Sequence, residues 1–469
     1  MQDDLAPLDQ AARYGRAFRS RDRPIHPTAS VQELRDAFCQ PLADSGRPGT
    51  AVIRELIEAA EPGLVGNTDP NFFAWVMGGS DPVGVAADWL ASVWGQNAAI
   101  YQTSPAAAIA EEAVSAWLLE LLDLPRDSSV GFVTGATMAG FVGLSAARSE
   151  VLARAGVDFA ALGLQGSPRI HVILSDDAHV CNLTALRHLG FGEANLHRLP
   201  SGPDGLAAPE VLDAAMASVD GPKIVIAQAG HINSGGFEDF TAFARIAKTH
   251  DAWLHVDGAF GLWARACPET RPLAAGAELA DSWSVDGHKW LQIPYDSGFV
   301  IVKDARAHRR AMQIQAAYLN EAPEDGRNPT SYVPGLSRRA RGFAAWAVLR
   351  GLGREGVAAL VRRHCNAASV LAARVREIDG LTVVNRVDLN QVVVGGTDPT
   401  DASHAIARLA DRLNEAHGLF VRTAVWKGQT VLRLSVISQD TTDSHAAHLA
   451  DCIRTAWHDI RQDTSTRLA

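Results

Sequence analysis

The sequence predicts an α/β protein. It reads as a large domain with a mainly parallel sheet covered by helices, a smaller C-terminal α+β domain and an N-terminal arm. Two observations predict it. Short apolar runs alternate with helical stretches through the middle of the chain: "VGFVTG", "RIHVILSD", "KIVIAQAG", "AWLHVDGAF", "DSWSVDG" and "GFVIVK". Such runs, separated by helices, mark strands buried on both faces of a parallel sheet. Beyond about residue 335 a long helical stretch, "RARGFAAWAVLRGLG", introduces a different pattern of strands and helices.

The elements follow in order. Residues 1–85 mix short helical patterns with turn-rich pieces such as "EPGLVGNTDPNFF", and read as an arm or cap without a core of its own. Residues 86–350 form the large domain. Its "SPAAAIAEEAVSAWLLELLDL" opens with Ser-Pro, a helix-start signal, and continues with helical period. Residues 351–469 form the small domain, with strand-like runs "LTVVNRV", "NQVVVGG" and "TVLRLSVIS". The stretch "GLGREG" is the hinge expected between the two.

Bulk properties narrow the partners. The 469 residues carry 43 basic and 53 acidic side chains, a formal net charge of −10. That argues against nucleic acid and anionic membranes, which want a basic face. Five scattered cysteines (Cys39, Cys181, Cys267, Cys365, Cys452) form no C-x-x-C pair. A reduced, cytoplasmic setting suits them better than a disulfide framework, and no metal site is expected. "MQDDLAPLDQAARYGRAF" has no apolar run of signal-peptide length, and no segment offers the about 18 apolar residues of a membrane span.

The chemistry gathers at strand ends, where open α/β sheets bind their ligands. "VGFVTGATMAG" is a strand, a glycine turn and a helix start. The N–H groups of Gly135, Ala136 and Thr137 can grip a phosphate there, although glycine turns are common. His179, just past a strand, can cap its helix, stack on a planar ligand or move protons. Asp257 ends a hydrophobic strand, where an unpaired acid is costly. It either caps a helix or faces a buried cation. Lys289, in "SVDGHKW", sits among residues that prefer burial; it either snorkels to water or, desolvated, loses its proton and becomes a nucleophile. One ligand explains all four. Pyridoxal 5'-phosphate needs a lysine for its aldehyde, a carboxylate for its pyridine nitrogen, a nest for its phosphate and a flat partner for its ring.

On these residues the chain resembles the fold-type-I pyridoxal-phosphate enzymes, and among them the group II amino-acid decarboxylases. "SVDGHKWLQIPYDSG" is similar to that family's lysine signature, which implies a Schiff base on Lys289 with His288 beside it. "HVDGAFG" implies Asp257 at the pyridine nitrogen and Ala259 against the ring. "DDAHVCNLTALRHLG" implies His179 as the stacking residue, and "VTGATMAG" implies phosphate contacts from Ala136 and Thr137. His231 stands where the family has a threonine near phosphate or ring. Asp69-Pro70 stands where the family reads "HP". The resemblance further implies an aspartate-aminotransferase-like fold and a homodimer with shared active sites. "TSPAAAIAEEAVSAWL" matches the helix whose start borders the partner's site. A loop, "LNEAPEDGRNPTSYVPGLSRR", would carry the tyrosine that protonates the substrate carbon. Its one tyrosine is Tyr332.

The expected reaction is decarboxylation of an L-amino acid to its amine, with Lys289, His179 and Tyr332 catalytic. Phe73, Trp75 and Trp94 are the expected substrate contacts, and point to an apolar or aromatic side chain. Phe72, Phe73, Trp75, Trp89 and Trp94, in segments without a core, add physical support for a dimer. Two alternatives stay open. One keeps the cofactor but breaks another bond: an aldolase-like or eliminating lyase, an aldehyde synthase or an aminotransferase. The other is a non-catalytic binding protein, which the presence of both Lys289 and Asp257 disfavours.

Overall fold

The computed structural model describes residues 5–313, 326–397, 402–416 and 418–468. Three helices open it: α1 (Ala6–Ser20), α2 (Val31–Phe38) and α3 (Gly49–Ala60). None buries a residue; the buried part of this region is a small cluster of Ile25, Phe72 and Ala74 against Phe420. Its helices still start by local rules. Ser30 and Glu33 form a reciprocal capping box on α2. Helix α4 (Pro82–Trp94) starts at Asp81, whose carboxylate accepts the Val83 and Gly84 N–H groups. Helix α5 (Pro105–Leu121) begins with a proline, where the missing N–H is harmless.

The large sheet has seven strands: β1 (Ser129–Val133), β2 (His171–Ser175), β3 (Leu196–Leu199), β4 (Lys223–Gln228), β5 (Trp253–Asp257), β6 (Ser282–Asp286) and β7 (Gly298–Val302). Their spatial order is β1-β7-β6-β5-β4-β2-β3. Only β7 runs against its neighbours. Between the strands lie α6 (Ala136–Arg154), α7 (Phe159–Leu162), α8 (Val180–His188), α9 (Pro209–Ala217) and α10 (Phe240–Thr249), with α11 (Ala305–Met312) after β7.

Alternation along the strands feeds two cores. In β4, Ile224 and Ile226 join the cluster built with α6 and α8. Val225 and Ala227 join the one built with α9 and α10. Both faces are therefore apolar, and the runs are continuous. Parallel register brings the last residues of β4, β5 and β6 to one edge, with Gln228 beside Asp257 and Asp257 beside Ser284.

Helix α12 (Arg341–Val375) connects to the second unit. It breaks at Gly353, with φ +62° and ψ 178°, a conformation that suits glycine and falls inside "GLGREG". Beyond it come β8 (Leu381–Val383), β9 (Gln391–Gly396), α13 (Ala402–Ala416), β10 (Arg422–Trp426), β11 (Gln429–Ser435) and α14 (Asp443–Leu468). The four strands form an antiparallel sheet in the order β10-β11-β9-β8. Its core is packed by α12, α13 and α14, and Phe73 inserts into it from the N-terminal side. The Phe73 N–H donates to Phe420 O at 2.9 Å, and its carbonyl accepts the Ser435 N–H at 2.8 Å.

Three buried histidines make the fold acid-sensitive. Burial pushes the pKa of His308 and His364 down to about 3 and that of His255 to about 4. The unfolded chain takes up these protons below its ordinary histidine value of about 6.5 while the folded chain does not, so stability falls as pH drops through that point. Buried Glu238, pushed up to about 7, opposes this with one proton. The four groups leave a net uptake of about two protons on unfolding near pH 5.5, or about 3 kcal/mol per pH unit. The uptake falls to about one proton at about pH 6.5, so urea unfolding is expected to find the protein about 2 kcal/mol less stable at about pH 5.5 than at about pH 6.5. Equal stability at the two values would contradict it.

Candidate active site

Strand β6 ends in Asp286, and Lys289 follows in the turn after it. Lys289 Nζ lies 2.9 Å from Asp286 Oδ2; the lysine side chain is 16% exposed and the carboxylate 2%. Asp286 Oδ1 accepts the Ala136 N–H at 2.6 Å, and His288 Nε2 lies 3.5 Å away. One buried carboxylate thus joins the lysine to the start of α6. Sequence reasoning passed over Asp286. The available signal was the one that singled out Asp257, an acid ending a buried strand.

The glycine turn is tight for a reason. A Cβ on Gly135 would sit 3.0 Å from His288 Cε1 and 3.2 Å from Asp286 Oδ1. One on Gly298 would meet Gly135 Cα at 2.4 Å. With Ala136 engaged by Asp286, the next N–H groups of α6, from Thr137 and Met138, have no partner within the helix.

Asp257 ends the neighbouring strand β5. Its Oδ2 accepts Asn182 Nδ2 at 2.7 Å and faces Cys181 Sγ at 3.6 Å. Its Oδ1 accepts the Ala259 N–H at 3.2 Å and Ser284 Oγ at 3.4 Å. Burial opposes its ionisation, but His179, the Asn182 hydrogen bond and Lys289 outweigh it, and its pKa is lowered. His179 Nδ1 accepts the Cys181 N–H at 3.3 Å, which leaves the neutral ring's proton on Nε2. Burial lowers the His179 pKa, so the ring stays neutral. The ligand atoms of His179, Cys181 and Asp257 lie within 4.8 Å of one another. Burial pushes the Cys181 thiol well up, so it is a neutral group rather than a thiolate.

Two further parts come from elsewhere in the chain. Arg433 on β11 is half-buried, and desolvation lowers its pKa. Its charge bears on His179, and among the described residues no carboxylate pairs with it. Gly78, at φ +74°, lies against the lysine turn: a Cβ there would meet His288 O at 2.1 Å and Lys289 O at 2.4 Å. Tyr295 Oη donates to Met77 O beside it. Three residues away, Trp75 holds φ +55° and is 42% exposed, with the Arg422 guanidinium 5.8 Å from its ring.

Residues 35–394 match the family described as the pyridoxal-dependent decarboxylase conserved domain. The chain belongs to that family. It is a pyridoxal-phosphate-dependent amino-acid decarboxylase. Tryptophan decarboxylase 1 of Oryza sativa subsp. japonica is 29% identical over 471 residues, covering 94% of this chain and 89% of that protein. Phenylacetaldehyde synthase of Arabidopsis thaliana is 26% identical over 424 residues, covering 86% and 84%. The solved structure of Oryza sativa TDC with PLP and tryptamine matches with a TM-score of 0.91 at 26% identity, over 98% of both chains. The aspartate-aminotransferase-like fold expected from the sequence is the fold observed.

In this decarboxylase several expected site residues lie elsewhere. Phe73 is fully buried in the core of the second unit and presents no surface to a substrate. Trp94 ends α4 half-exposed, edge-on to Phe343 at 5.1 Å. His231 is buried with Nδ1 facing the Asn233 and Ser234 N–H groups, and its Nε2 lies 3.2 Å from Asp177 Oδ2. Trp426 Nε1 donates to the same oxygen at 2.8 Å. His231 therefore braces the loop that carries His179. Tyr332 packs edge-on to His308 at 5.3 Å, and its carbonyl accepts His308 Nε2 at 2.9 Å. His308 sits by Ser129, at the opposite end of β1 from Gly135 and about 13 Å along the strand from Val133. Within one chain Tyr332 is thus remote from Lys289. Residues 319–325 of its loop lie outside the described residues.

The Gly78 contact yields a test. Gly78→Ala has no room for its Cβ and a strained φ, so the lysine turn must shift. The variant is expected to fold, by circular dichroism, and to retain under about a tenth of the wild-type cofactor content. Full cofactor content would contradict the contact.

Proposed function

We propose that this decarboxylase binds pyridoxal 5'-phosphate at the edge where β5 and β6 end, and converts an aromatic L-amino acid to its amine. One observation carries the reading: Lys289 and Asp257 converge from adjacent strand ends, and His179 interacts with the charges of both. The residues fit the cofactor. Gly135 leaves a cradle that a Cβ would fill, Asp257 stays ionised, and Arg433 is a cation without an acid among the described residues.

When bound, the cofactor supplies an electron sink for the bond broken at the substrate carbon. Lys289 Nζ would hold its aldehyde, and Asp257 would keep a proton on its pyridine nitrogen. The neutral His179 ring and Ala259 would hold its ring, and His288 would flank the lysine. Gly135, Ala136 and Thr137 would hold its phosphate. His231 acts on the site through Asp177. Arg433 orients the substrate carboxylate, a charge-assisted contact of the kind that fixes a reacting bond. His179 Nε2, or Tyr332 of the partner subunit, returns a proton to the carbon. Trp75, exposed beside the Gly78 contact, is retained as the aromatic wall for the side chain, and Trp94 as a wall for the partner subunit's site.

The assembly proposed is a homodimer with shared active sites. Val83, Trp89, Leu90, Val93 and Trp94 form an exposed apolar face on α4, larger than isolated surface residues account for. A monomer by light scattering would remove this part. All five cysteines are free, which suits a cytoplasmic enzyme. No helix among the described residues is long and apolar enough to cross a membrane.

Incubation with L-tryptophan and L-tyrosine is expected to release carbon dioxide and amine in equal amounts, and Lys289→Ala to release neither. Carbon dioxide with aldehyde instead of amine would favour an aldehyde synthase, a reading supported by the similarity to phenylacetaldehyde synthase. No carbon dioxide from any aromatic amino acid would overturn the substrate class. Arg433→Met is expected to raise KM at least about tenfold, roughly 1.4 kcal/mol. An unchanged KM would take Arg433 out of substrate binding.

A further inference from the structure

We infer that Asp286 governs cofactor loading: its carboxylate competes with the cofactor phosphate for the start of α6 and pairs with Lys289, a contact that the cofactor must displace. The inference rests on the reading of Lys289 and the Gly135–Thr137 turn given above.

The geometry is specific. Asp286 Oδ1 takes the Ala136 N–H at 2.6 Å, and Oδ2 takes Lys289 Nζ at 2.9 Å. These are two groups the cofactor must engage, through substituents on neighbouring carbons of its ring. A phosphate at the start of α6 meets a second anion there, in a site where screening is weak. Lys289 can attack the aldehyde carbon only as a neutral amine, so it first gives a proton to Asp286 or to water. The amine's two remaining hydrogens then leave with the aldehyde oxygen as water, and a carbon–nitrogen double bond forms. The proton loss breaks the ion pair with Asp286, whereas the condensation moves no net charge.

Other charges around Asp286 are fixed by the fold. His288 from its own turn, His179 and Cys181 from the start of α8, and Tyr295 all feel its charge. Burial keeps both histidines neutral-leaning, so Lys289 is the cation that balances Asp286. Asp257 lies beyond the lysine, on β5.

Asp286→Asn isolates the charge. The amide oxygen can still accept the Ala136 N–H, and the side-chain shape is kept. The full chain, stripped of cofactor, is titrated with pyridoxal phosphate and separately with pyridoxal, which lacks the phosphate, while visible absorbance is followed. Asp286→Asn is expected to bind pyridoxal phosphate about tenfold more tightly, with a smaller gain for pyridoxal. Equal or weaker binding of pyridoxal phosphate by the variant overturns the inference, as does an equal gain for both probes. Asp286→Ser removes the same charge should the Asn variant fail to fold. Lys289→Ala separates the two levels: if it gives the wild-type absorbance band, the reading of Lys289 fails instead.

Discussion

Two carboxylates, Asp257 and Asp286, end neighbouring strands with almost no access to water, and the site is organised by the need to compensate them. Moving a carboxylate out of water costs several kcal/mol unless charges and donors meet it. Asn182, Ser284, the Ala259 N–H and the nearby His179 meet Asp257. Lys289 and the Ala136 N–H meet Asp286. The groups that solve this electrostatic problem are the groups proposed to hold the pyridoxal cofactor. Stability and chemistry therefore draw on the same side chains.

The parallel sheet makes the convergence possible. β5 and β6 run side by side, so their last residues fall at one edge without any dedicated loop. The second unit is wired to that edge from three directions. Arg433 brings charge towards His179, Trp426 donates to Asp177 just ahead of it, and Phe73 ties the segment carrying Trp75 and Gly78 into the second core. The Gly353 break in α12 lets one long connection serve both units. Movement of the second unit would therefore reach His179, Trp75 and Gly78 together.

Much of the fold was legible in the sequence because six of the seven large-sheet strands are buried on both faces and read as largely apolar runs, broken by His255 in β5 and Ser284 in β6. The strand that escaped notice, "LHRL", is a short edge strand with partly exposed residues. In the second sheet "RTAVW" escaped for the same reason: it is the edge strand β10, with three of its five residues exposed. The lysine, the Asp257 strand end, His179 and the glycine turn were legible because each follows a strand. Arg433 was not, since it sits in another unit and only the fold brings it near His179. Phe73 shows the converse failure. An aromatic residue in a turn-rich segment reads equally as a pocket wall or as core, and packing decides for core. His231 occupies a strand-end position, yet its ring turns to Asp177, which no spacing reveals.

The central claim is that Lys289 is the covalent attachment point of the cofactor. Borohydride reduction of the holoenzyme, followed by proteolysis and mass spectrometry, tests it most directly. The account predicts a single pyridoxyl-phosphate label, on the peptide containing "GHKW", at Lys289. A label on any other lysine, or none on an enzyme that still turns over, would contradict it.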